Sequence, residues 1–62
     1  MIYCSYYLPL TKYLLHEMEA INIDHVHETA KTLLDEFEID SIECETENYR
    51  CTINRPHGKY NN

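Results

Sequence analysis

Between Ser41 and Asn54 the side chains alternate in two runs that agree about which side is wet, and no other stretch of the chain restricts the fold as much. With a turn at Glu47-Asn48, Thr46 faces Tyr49, Glu45 faces Arg50, Cys44 faces Cys51, Glu43 faces Thr52 and Ile42 faces Ile53. Successive residues of a strand point to opposite faces. Ile42, Cys44, Thr46, Tyr49, Cys51 and Ile53 therefore share an apolar face, and Ser41, Glu43, Glu45, Arg50, Thr52 and Asn54 share a polar one. The reading is a hairpin of strands 41–46 and 49–54 with one face in a core.

Two further elements supply that core. Residues 2–8 are aromatic and branched, with Ile2, Cys4, Tyr6 and Leu8 on one side at period two, and read as a strand ended by Pro9. Residues 24–38 read as a helix with Asp24 as its N-cap and Val26, Ala30, Leu33, Leu34 and Phe37 as its apolar stripe. Lys31 and Asp35 on the opposite face stand at i,i+4, where an ion pair contributes a few tenths of a kcal/mol.

Residues 10–21 carry two conflicting signals. Leu10, Tyr13, Leu14, Met18 and Ile21 fall at helical spacing, and Leu, Glu, Met and Ala favour helix, so propensity favours a second helix. A strand at 13–21 would instead pair with 2–8 across a turn centred on Pro9. Either way the expected class is α+β: a small two-layer domain in which an antiparallel sheet of three to four strands (2–8, 41–46, 49–54, with 13–21 as the fourth) packs on helix 24–38. Residues 1–54 form one domain, and 55–62, with turn residues and no apolar period, read as a flexible basic tail.

A chain of 62 residues has room for one small core. Chains of this size bury only about 60% of the surface they expose when unfolded, so a partner or a second copy is a natural source of added stability. No run approaches the roughly 20 apolar residues that span a bilayer, and Met1 to Leu10 lacks the basic start of a secretory signal. Three cysteines, an odd number, suit a reducing compartment. The expected location is cytoplasmic. Residues encoded by AT-rich codons greatly outnumber those encoded by GC-rich ones, a bias that short phage and mobile-element reading frames commonly share.

The formal charge of -6 is unevenly distributed. Residues 1–16 contain no acid, whereas Asp35, Glu36, Glu38, Asp40, Glu43, Glu45 and Glu47 occupy 35–47 without a base. Five Lys and Arg are too few for a phosphate footprint, so direct nucleic-acid binding is not expected. An acidic patch can keep a protein soluble, or it can dock on a basic surface with electrostatic steering, in its strongest form as a nucleic-acid mimic. Tyr3 and Tyr7 lie on the side of strand 2–8 away from Cys4 and Tyr6, and exposed tyrosines are common at interfaces.

Cys44 and Cys51, opposite each other, read first as small buried hydrophobes and second as a disulfide. Cys4, Cys44, Cys51, His57 and the His25-Val26-His27 pair do not have the close ligand spacing of a structural zinc site, so no metal or other cofactor is expected. No base is placed to activate a thiol, and His16 reads as a surface helix residue, so the chain is not expected to be an enzyme. The expected activity is that of a small acidic protein-binding module that inhibits or modulates a larger host protein with a basic surface. Its candidate contact residues are Tyr3, Tyr7, Asp40, Glu43, Glu45, Glu47 and Arg50. The alternatives are a metal- or thiol-dependent regulator using Cys44, Cys51 and His57, and a structural homo-oligomer such as a homodimer.

Overall fold

The computed structural model describes residues 1–55. The chain runs β1 (Ile2–Tyr7), β2 (Leu14–Ala20), α1 (Ile23–Glu36), β3 (Ser41–Thr46) and β4 (Arg50–Asn54). The strands form one antiparallel sheet in the order β2-β1-β3-β4, with α1 on one face. This is the expected α+β domain with the fourth strand present.

The β3–β4 hairpin has the register that the alternation requires, from Ser41 opposite Asn54 to Glu45 opposite Arg50. Its turn closes with the Thr46 N–H donating to the Tyr49 carbonyl at 2.8 Å. Thr46 Oγ1 also accepts from the Asn48 and Tyr49 N–H groups. That hydroxyl does what an Asn-Gly turn would do through backbone geometry.

Residues 10–21 do not form the helix that propensity favours. Leu14–Ala20 is a strand whose Ala20, Met18 and His16 stand opposite Ile2, Cys4 and Tyr6, with a register shift at Tyr6/Tyr7. Four members of the apparent helical stripe, Leu10, Tyr13, Leu14 and Ile21, are exposed. Pairing decides the matter: as a strand, this segment hydrogen-bonds the free edge of β1, an edge that a second helix would have left unpaired. His16 is thus an exposed strand residue, its ring centroid 6.0 Å from that of Tyr6. The β1–β2 turn is held by Leu8 N–H to Tyr13 C=O and Lys12 N–H to Leu8 C=O, both 2.9 Å, and places Lys12 at φ 63°.

Helix α1 begins two residues earlier than its acidic residue suggests. Asn22, not Asp24, is the N-cap; its side chain accepts from the His25 N–H at 2.9 Å, while His25 Nδ1 accepts from the Ile21 N–H at 3.0 Å. The two contacts satisfy donors at the helix start reciprocally, as a capping box does. Val26, Ala30, Leu33 and Leu34 are buried against Cys4, Tyr6, Ala20, Ile42 and Cys44. Tyr6 also donates its hydroxyl proton to the Val26 carbonyl at 2.8 Å, tying the first helical turn to a central strand.

Phe37 leaves the apolar stripe because the helix ends at Glu36, and it is 46% exposed. Glu38 adopts φ 55°, its N–H donating to Asp35 C=O and the next N–H, of Ile39, to Leu34 C=O. This is a Schellman ending with glutamate where glycine is usual. Asp35 pairs with Arg55 at 2.7 Å rather than with Lys31. Arg55, the first residue of the expected tail, also donates to the Leu34 and Ile39 carbonyls. The remaining tail, including His57, lies outside the described residues.

Candidate docking face

Because α1 covers the even-numbered side of β1, the opposite side of the sheet has no helix over it among the described residues. Tyr3, Ser5 and Tyr7 run along β1 on this open side. Ser5 stands between Glu17 of β2 and Glu45 of β3, and Glu45 stands opposite Arg50 of β4. One row across all four strands therefore reads Glu17, Ser5, Glu45, Arg50. Ser5 is only 7% exposed although no second layer of described residues covers it, since the side chains around it roof it over. Tyr3, Tyr7, Glu17, Glu45 and Glu47 line a hollow of about 350 Å³ above it.

A second hollow, also about 350 Å³, lies beside the first and is lined by Tyr7, Lys12, Glu43, Glu45 and Arg50. Here the charges are matched. Lys12 Nζ reaches Glu43 Oε1 at 2.8 Å and Oε2 at 2.7 Å, and Arg50 lies 3.6 Å from Glu45. Exposed pairs of this kind contribute about 0–1 kcal/mol; their larger effect is on the sign of the surface. Among the described residues, Glu17, Glu19 and Glu47 have no such ion-pair partner. On this face the uncompensated negative charge is thus centred on β2 and the hairpin turn, next to Tyr3.

Glu17 acts on that tyrosine directly. It raises the Tyr3 pKa above the ordinary phenol value, first through hydrogen bonding to the phenol, with desolvation and charge repulsion adding to the shift.

Of the residues singled out from sequence, Tyr3, Tyr7, Glu43, Glu45, Glu47 and Arg50 come together on this face. Asp40 does not. It precedes β3 at the end of the sheet away from the Glu47 turn, where its carbonyl accepts from the Arg55 N–H at 2.7 Å and its carboxylate lies 3.7 Å from Arg55 Nε. Glu17, Glu19, Ser5 and Lys12 escaped the sequence reading. The alternation in 14–20 would have revealed the two acids, but the competing helical period hid it.

On the covered face, Cys4 and Cys44 are fully buried and Cys51 is half-buried, all three as free thiols. Burial pushes the Cys44 thiol well above its ordinary pKa, and the neighbouring thiols add to the shift. Among the described residues no group of three or more His, Cys, Asp or Glu could hold a metal. No helix among them is long and apolar enough to cross a membrane.

No family model, curated protein or solved structure matches the chain.

Proposed function

We propose that the protein is a small acidic binding module that docks its open sheet face on a basic surface of a larger protein and thereby inhibits or modulates it. The observation that carries this reading is the hollow over Ser5, where two tyrosines and the carboxylates of Glu17, Glu45 and Glu47 meet on a face that no helix among the described residues covers. A cation is the complementary occupant: an arginine or lysine of the partner would lie against the tyrosine rings and pair with Glu17. The acids uncompensated at the rim, Glu17, Glu19 and Glu47, would steer the approach. The compact α+β domain and its low-GC coding bias suit a phage or mobile-element product acting in the cytoplasm on a host protein, with occupation of a nucleic-acid groove as the strongest form of the interaction.

The test is affinity capture with immobilised wild-type protein, followed by binding measurements on the recovered partner. The expected partner has a basic surface, binds more weakly as salt rises, and binds Glu17→Lys and Tyr7→Ala about tenfold or more weakly, as loss of a central contact does. A partner indifferent to both substitutions would remove the open face from consideration. If a second copy of the chain were the only species bound, the homo-oligomer reading would replace this one.

A further inference from the structure

Three thiols form a row on the covered side of the sheet, away from the docking face. Cys51 of β4 stands opposite Cys44 of β3. Cys4 of β1 is diagonal to Cys44, because Cys4 pairs with Thr46 and Tyr6 with Cys44. The Cys4 and Cys44 sulfurs are 3.2 Å apart, and both residues are 0% exposed. Cys51 is half-buried and so is the thiol most open to solvent.

The two neighbours of Cys44 are not equivalent. The Thr46 N–H bond to Tyr49 C=O makes those residues a hydrogen-bonded pair. Hydrogen-bonded and non-hydrogen-bonded pairs alternate along an antiparallel ladder, so Cys44 and Cys51, two positions on, form a hydrogen-bonded pair as well. Side chains in such pairs stand farther apart: Cβ atoms of directly opposite residues are about 4.5–5.5 Å apart, with hydrogen-bonded pairs at the wide end, whereas a disulfide draws its Cβ atoms to about 3.8 Å. A Cys44–Cys51 bond is therefore strained. Cys4, in contrast, already has its sulfur against that of Cys44.

We infer that this row is a two-electron oxidation site, in which a hydroperoxide oxidises Cys51 first and the disulfide settles between Cys4 and Cys44. With hydrogen peroxide, the Cys51 sulfur gains an oxygen to become a sulfenic acid, and one water is released. The Cys44 sulfur then attacks the Cys51 sulfur, the hydroxyl leaves with the Cys44 proton as a second water, and the strained bond forms. The Cys4 sulfur attacks the Cys44 sulfur, and Cys51 departs and recovers a proton from Cys4. One peroxide and two thiols thus yield one disulfide and two waters, with Cys51 regenerated. The product joins residues 40 positions apart and ties together β1 and β3, the central strands whose other side carries Ser5, Tyr7 and Glu45.

The full chain treated with hydrogen peroxide tests this by intact mass and by tryptic mapping without reductant. The expected result is a loss of two hydrogens, peptide 1–12 joined to peptide 32–50, and a higher urea midpoint from the constrained unfolded chain. Cys51→Ser slows that linkage about tenfold, because the accessible thiol reacts first, and Cys4→Ser stops at the bond between residues 44 and 51. Linkage at an undiminished rate in Cys51→Ser would overturn the relay. A wild-type product that ends as a Cys44–Cys51 bond, as sulfinic acid on Cys51, or as unmodified chain would overturn the site.

Discussion

Lys12 and Glu43 are joined by both carboxylate oxygens, at 2.8 and 2.7 Å, across 31 residues of sequence, in the hollow that Tyr7 also lines. The lysine reaches this position from a left-handed backbone, φ 63°, which non-glycine residues adopt only where the surroundings hold them there. Its charge cancels that of Glu43, the acid opposite Tyr7 in the β1–β3 pairing. Lys12→Asn keeps a residue that tolerates this backbone and removes the cation. The expected result is a change in stability of no more than about 1 kcal/mol, with faster association to a basic partner at low salt and convergence with wild type as salt screens the surface. Stopped-flow association at two ionic strengths measures it.

Arg55 closes the domain by donating from one guanidinium to Asp35 and to the Leu34 and Ile39 carbonyls, which satisfies acceptors at the end of α1 and just beyond it. Arg55→Ala should cost about 2–3 kcal/mol, the scale of hydrogen bonds to a charged group. Arg55→Lys should recover less than half, since an ammonium cannot reproduce the planar fork. Urea unfolding of the two variants distinguishes them.

Glu38 holds the left-handed position of the Schellman ending at φ 55°. Glycine takes this conformation without steric cost, at the expense of a more flexible unfolded chain. Glu38→Gly should therefore stabilise by about 0.5–1 kcal/mol, whereas Glu38→Val should destabilise by more than that. Thermal midpoints of the pair give the sign directly.

Alkaline pH should unfold the protein through its buried protonated groups. Burial raises the Tyr6 phenol above its ordinary 10.0 and the Cys44 thiol above 9.0. The unfolded chain loses these protons first, so it binds fewer protons than the native state, and stability falls as pH rises. The contribution is intact below about pH 9 and is lost progressively above it, with a slope of up to about 1.4 kcal/mol per pH unit for each group. Tyr6→Phe should cost about 1–2 kcal/mol at neutral pH by leaving Val26 C=O without its phenol donor. It should also flatten the decline above pH 10, which denaturant titrations between pH 7 and 11 would reveal.

The hairpin was legible in the sequence down to its register. Both arms carry the same alternation, and a slip of one residue would send Ile42, Cys44 and Ile53 into water. The stripe Val26, Ala30, Leu33, Leu34 likewise needed only the helical period. These are local signals, repeated often enough within one element to outweigh noise.

Other features depended on contacts between distant segments. Leu14–Ala20 has helical propensity and becomes a strand because β1 offers an edge that needs pairing. Asn22 rather than Asp24 caps α1 because His25 can answer it, and Asp40 turns from the acidic patch toward Arg55. The open face shows the same division. Tyr3, Tyr7, Glu43 and Glu45 are assigned to it by alternation alone, which sets direction within a strand. Strand order brings Glu17 beside Ser5, and the turn at Lys12 decides that Glu43 is neutralised while Glu17 is not. Periodicity within an element is a property of the chain itself; which elements become neighbours, and hence which charges survive uncompensated, follows from satisfying backbone edges and burying apolar faces together.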